Sequence, residues 1–206
     1  VDEFDIIIKG KGGHAAIPNL AVDPIIIAAQ IINTIQTIIS RVTNPIDKAL
    51  ISITKIKAGS AYNVIDDEAF LGGTVRTFKL ETRELIETKI KTISEGIAKA
   101  NGGNIDFKYY PGYPPTINSQ KESIFAGNVA KNLVGEENVI TEIEPSMGGE
   151  DFAYFLKEKP GSYLYIGQKD ENHKAHLHTT KYDFNDNLLP IGVNYWVNLV
   201  KNFFNK

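Results

Sequence analysis

The sequence predicts two regions of different class. About the first 110 residues follow the order β-α-β-β-α-β, the split βαβ or ferredoxin-like layout of an α+β unit. An α/β region follows, with too few strands to close a core of its own. Three observations carry this. Runs rich in β-branched and aromatic residues, bounded by turn residues, recur at 3–9, 49–57, 68–78 and 104–110. Two long segments with isoleucines at helical spacing lie between them. The Pro-rich stretch "PGYPPTINSQ" then interrupts the pattern.

In chain order, "EFDIIIK" reads as the first strand and "GKGGHAAIPN" as a loop, because glycines and a proline break regular structure. "VDPIIIAAQIINTIQTIISR" reads as a helix, with Asp23 as N-cap and Pro24 at the first helical position. It carries eight isoleucines, and two stripes are visible. One is Ile25, Ala28, Ile32, Ile35 and Ile39; the other is Ile27, Ile31 and Ile38. Together they are wider than one core-facing stripe, so the helix is expected to pack on its sheet and on a second surface. The second helix carries Ile86, Ile90, Ile93 and Ile97 on one face and stops at Gly102–Gly103. "NIDFKYY" is the fourth strand. A border near residues 111–118 divides domains at 1–112 and 113–206. Beyond it, helices are expected at about 120–134, after "EPSMGGED", and at about 186–204. Strands are expected at 138–143 and in "SYLYIGQ".

Composition narrows the function. A formal net charge of −3 with no basic cluster argues against a nucleic-acid partner. The absence of cysteine excludes disulfides and thiolate metal sites. No run approaches the roughly 18 apolar residues expected of a membrane span, and no secretory signal opens the chain, so the cytosol is the default location. The chain starts without Met and enters a strand within a few residues, which reads as a fragment or a processed piece.

Four stretches carry candidate chemistry, each with a bland alternative. "HKAHLHTT" holds three of the four histidines, His173, His176 and His178. In extended backbone His176 and His178 would share a face and could ligate a metal. A catalytic zinc wants about three ligands, and Glu171, Asp183 and Asp186 stand at no recognised spacing; a solvated polar loop fits as well. "GKGGHAAIP" places His14 among glycines, either as a donor to a developing oxyanion or as an incidental turn residue. Asn63 precedes a strand that contains Arg76, which suits a substrate carboxylate or a surface ion pair. In "SMGGEDFAYF", Glu150 and Asp151 fit a helix N-terminus or support metal ligands from behind.

The order of these stretches is more informative than any one of them. "GKGGHAAIP", "VDPI", "AGSAYNVIDDEA", "GGTVRT", "GGEDF", "PGSYLYIG" and "HLHTTKYDFND" together resemble the M20 family of metal-dependent amidohydrolases and peptidases over nearly the whole chain. The hippurate hydrolase and N-acyl-amino-acid amidohydrolase branch is the nearest in look. The resemblance implies a ferredoxin-like lid that dimerises, followed by the C-terminal part of a zinc-peptidase-like α/β catalytic domain. It implies two divalent metals, zinc or manganese, and hydrolysis of N-acyl amino acids or small peptides by a homodimer. It also implies His178 as one metal ligand, His14 as stabiliser of the tetrahedral intermediate, and Asn63 and Arg76 as binders of the substrate carboxylate. Glu150 and Asp151 would line the active-site wall. Most metal ligands of the family precede the lid and are not in this sequence, so the chain alone is expected to be inactive. Asp66 departs from the family pattern, which has proline there, and puts the local turn in question. A non-catalytic dimerisation or ligand-binding module is the alternative reading.

Overall fold

The computed structural model describes residues 1–205 in two compact units. One holds Val1–Pro115 with Met147–Asp151, and the other holds Thr116–Ser146 and the residues from Phe152 onward.

The first unit is the expected βαββαβ fold. Strands β1 (Asp2–Lys9), β3 (Ala49–Ala58), β5 (Glu68–Thr77) and β6 (Asn104–Pro111) form one antiparallel sheet of order β3-β5-β1-β6. Two short strands, β2 (Gly13–His14) and β4 (Val64–Ile65), pair separately. Along β1, Phe4, Ile6 and Ile8 alternate into the core at zero exposure, as the two-residue period of a strand requires. Leu71 and Val75 meet them from β5. Gly73 is the close-approach point, because a Cβ there would lie 2.5 Å from the Phe4 ring. Full burial of each large aliphatic side chain contributes about 1.5–3 kcal/mol.

Helix α1 (Pro24–Thr37) starts as predicted: Asp23 accepts the Ile25 N–H at 2.8 Å, and Pro24 takes the first position. Ile27, Ile31, Ile35 and Ile38 are fully buried against the sheet. The helix then widens to a π turn over Ile38–Val42, where the Thr43 N–H reaches back to Ile38 O. Contrary to the sequence expectation, Pro24–Val42 is long and apolar enough to cross a membrane by length and composition. Its buried isoleucines show that its inner face serves the sheet instead. Its outer face leaves Ile25 and Ile26 exposed.

Helix α2 (Leu80–Ala100) buries the four-spaced row Ile86, Ile90, Ser94 and Ala98. The expected Ile93 and Ile97 flank that row, half-buried, because small residues hold the central positions over the sheet. The start of β1 is secured by a buried ion pair. Asp2 accepts from Arg83 Nε at 2.7 Å and also from Arg83 Nη2. Tyr109 Oη donates to it at 2.8 Å and the Gly112 N–H at 2.9 Å. Burial, then the bond to Asp2, pushes the Tyr109 phenol far above its ordinary value, so it remains a donor.

The second unit contains α3 (Gln120–Val134), α4 (Phe152–Glu158) and α5 (Leu189–Phe204). Tyr195 of α5 packs under α3 with its hydroxyl toward Ala126 O, and Phe125 meets Phe203 edge-on at 6.2 Å. The two strands expected here do not form. Residues 139–146 and 162–168 carry no ladder, and among the described residues the second unit has no β-strand. A strand is defined by its neighbour, and neither segment has one. Asn118 stands in for a neighbour at one point: its side chain bonds both Tyr163 N and Tyr163 O at 2.8 Å.

Candidate functional site

His14 and Asn63 are brought together in the first unit. Both follow from local pairing: His14 sits opposite Val64 in the β2–β4 ladder, and the Ala15 N–H donates to Asn63 O at 3.0 Å. The result is an open cleft of about 440 Å³ lined by residues 12–14 and 63–67. Both side chains are solvent-accessible. The Ala16 N–H donates to His14 Nδ1 at 3.1 Å. An accepting Nδ1 carries no proton, so in the neutral ring the proton sits on Nε2, which is left as a donor.

The turn carrying Asn63 does not need proline. Val64 N closes it on Ala61 O, and Ser60 Oγ donates to Asp66 Oδ1 at 2.5 Å across the loop. The doubt raised by Asp66 is thus met by a hydrogen bond in place of a ring.

Arg76 lies elsewhere. From Asp67, beside the cleft, to Arg76 at the far end of β5, the extended chain covers about 30 Å. There Arg76 Nη1 donates to Met147 O at 2.9 Å, in the stretch that also carries Glu150 and Asp151. Within one chain, Asn63 and Arg76 therefore do not converge.

His178 belongs to the second unit. Its φ of +63° is unusual for a residue other than glycine. The extended alternation that would align His176 with His178 is absent, because residues 177–178 form a turn. Thr179 Oγ1 closes that turn on His176 O at 2.8 Å. His173 is engaged differently: its Nδ1 lies 2.8 Å from Asp170 Oδ1. The His173 N–H, its ring and the Asn172 N–H hold the Asp170 carboxyl below the usual carboxylate range. A divalent metal asks for about three protein donors. Among the described residues no three His, Asp or Glu side chains come together to hold one. These residues do not make a complete metal centre.

Two supporting groups were not singled out from sequence. Asp67 accepts the Gly12 N–H at 2.7 Å; an acid directly before a strand was its only signal. Asn185 is 6% exposed, bonds Gln168 and Asp170, and caps the turn that opens α5. A cap-type residue just before a helical run was the signal there.

Comparison with known proteins gives one answer. The description "Peptidase family M20/M25/M40" matches residues 7–202. The chain is 37% identical to N-acetylcysteine deacetylase of Bacillus subtilis over 97% of its length and 51% of that protein's. It is 37% identical to hippurate hydrolase of Campylobacter jejuni over 96% of its length and 51% of that protein's. Among solved structures, a dinuclear metal-binding M20 peptidase of Bacillus subtilis superposes with a TM-score of 0.73 at 33% identity, covering 96% of this chain and 48% of that one. An aminohydrolase described as putative, from methicillin-resistant Staphylococcus aureus, superposes at 0.80 with 26% identity, covering 98% and 52%. The chain spans about half the length of the curated relatives it matches. A family match over almost every residue, on a βαββαβ unit followed by a helical unit, assigns this chain to peptidase family M20/M25/M40.

Proposed function

We propose that this chain is the lid and C-terminal catalytic portion of a metal-dependent amidohydrolase acting on N-acyl amino acids or small peptides, in a cytosolic setting. The observation that carries the reading is His14, with Nδ1 occupied by the Ala16 N–H and Nε2–H left as a donor beside Asn63. Such a donor stabilises an acyl oxygen as it becomes an oxyanion, with no proton transfer of its own. Asn63 and Arg76 bind the substrate's carboxylate end, and His178 supplies one ligand to a zinc or manganese site whose other donors lie outside these residues. Glu150 and Asp151 form part of the wall. The lid domain is residues 1–112 and the catalytic portion residues 113–206.

The length of β5, about 30 Å of extended chain from Asp67 to Arg76, supports a site built from two copies, in which His14 and Asn63 of one protomer serve a substrate held by Arg76 of the other. The exposed Ile25 and Ile26 of α1 and Ile56 of edge strand β3 offer the surface for that homodimer. Ile25 also packs 3.5 Å from the position of a Cβ on Gly59, just past β3, so helix and strand end share one patch.

A second reading, a non-catalytic dimerisation or ligand-binding module, is favoured by the incomplete donor set. Hippurate and N-acetyl amino acids, with zinc or manganese added, test both. The 206-residue chain is expected to release no amino acid but to show amide shifts at His14 and Asn63 on titration. Turnover would contradict the incomplete site. Unmoved His14 and Asn63 signals at millimolar ligand would count against both roles for the cleft.

A further inference from the structure

Resting on that assignment of His14, we infer that Asp67 is its positioning residue: one side chain and one carbonyl clamp the Gly-rich turn to the start of β5. Asp67 Oδ1 accepts the Gly12 N–H at 2.7 Å, and Asp67 O accepts the Gly10 N–H at 2.8 Å. Lys11, between them, is bonded on its other side to Val22 through both its N–H and its C=O. The turn is therefore held from two directions immediately before His14. The β2–β4 ladder beyond it is only two residues long, and a two-stranded ribbon of that size is not stable unaided in water. A carboxylate acceptor makes a shorter and stronger bond than a neutral one. Gly12 is matched to it, since a Cβ there would stand 2.9 Å from both Asp67 Oδ1 and Ile65 O. The neighbouring carboxylate is no substitute: Asp66 is already engaged by Ser60 across its own loop. Asp67 acts through His14. It holds His14 in the ladder opposite Val64, in the cleft that Asn63 also lines, and keeps Ala16 in place to hold Nδ1.

The test uses the 206-residue chain, isotopically labelled, as wild type, Asp67→Ala and Asp67→Asn. Asparagine keeps an oxygen that accepts the Gly12 N–H, and alanine does not. In Asp67→Ala, amide exchange at Gly12 and Ala15 is expected to rise about tenfold or more, while Ile6 and Leu71 in the central strands keep their protection. The His14 ring nitrogens are expected to move from a single Nε2–H tautomer toward the averaged signal of a free imidazole. Asp67→Asn is expected to restore most of both signals. Unchanged Gly12 exchange and His14 tautomer in Asp67→Ala overturns the inference, and so does Asp67→Asn behaving like the alanine variant. If Asp67→Ala loses sheet protection altogether, Asp67→Asn decides alone: retained Gly12 protection supports the clamp and its loss overturns it. None of these signals depends on turnover. His14 and Asn63 signals that stay unmoved at millimolar N-acetyl amino acid in the wild-type chain would remove the function of His14 and leave the clamp standing.

Discussion

Asp2 shows how far one residue's identity depends on its neighbours. It is 2% exposed and carries a charge that its position in a strand would not announce. Four hydrogen bonds, two of them from Arg83, compensate its desolvation. Arg83→Met leaves Tyr109 and Gly112 to hold the carboxylate and is expected to cost about 3 kcal/mol, because removing one partner strands a buried charge. Urea unfolding at neutral pH measures this, and a loss below about 1 kcal/mol would show that the remaining donors suffice. Ser94 presents the opposite case. Its hydroxyl is buried with no partner among the described residues. Ser94→Ala keeps the small volume over the sheet and is expected to raise stability by about 1 kcal/mol. An unchanged midpoint would indicate a water at that hydroxyl.

Helix α1 and the histidine loop are each legible to a different depth at the level of elements. For α1, the cap, the proline and the buried isoleucines were readable because they are local: capping and 3.6-residue periodicity need no distant partner. The two lost strands were not, because a β-rich run becomes a strand only when another strand meets it. The histidine loop was half-legible. Its residues were visible, but its closure by Gln168, Asp170 and Asn185 pairs residues about 15 apart. That closure is pH-sensitive in a defined direction. A carboxyl whose folded value lies below its unfolded value of about 4 contributes stability above that value and loses it as pH falls through the folded one. The Asn185 side-chain amide signals are therefore expected to keep their folded positions at about pH 5 and to collapse only below about pH 4. Collapse well above pH 4 would mean that Asp170 is not the closing group.

At the scale of the whole molecule, the two units differ in how much they bury. The first has a continuous core of isoleucines on a four-stranded sheet. The second buries few apolar side chains fully and exposes Phe155, Tyr165, Trp196 and Phe204. In the proposed dimer the exposed patch of the first unit is the contact. Ile26→Asp is expected to leave the unfolding midpoint of a monomer nearly unchanged, since Ile26 is 52% exposed, but to convert dimer to monomer at tens of micromolar. Light scattering on both proteins checks this. A wild-type chain that is monomeric throughout that range would remove the two-copy site.

The sequence alone determined the βαββαβ order, the start of α1 and the motifs by which the family is recognised, because each rests on neighbours within a turn or two. Tertiary structure decided what those residues meet. It brought His14 and Asn63 to one cleft through a two-residue ladder, sent Arg76 to the other end of β5 and put His178 in a left-handed turn. It also left two strand-like segments without a ladder. Distance across a sheet and the presence of a partner strand are properties of the folded chain, and no local pattern encodes them.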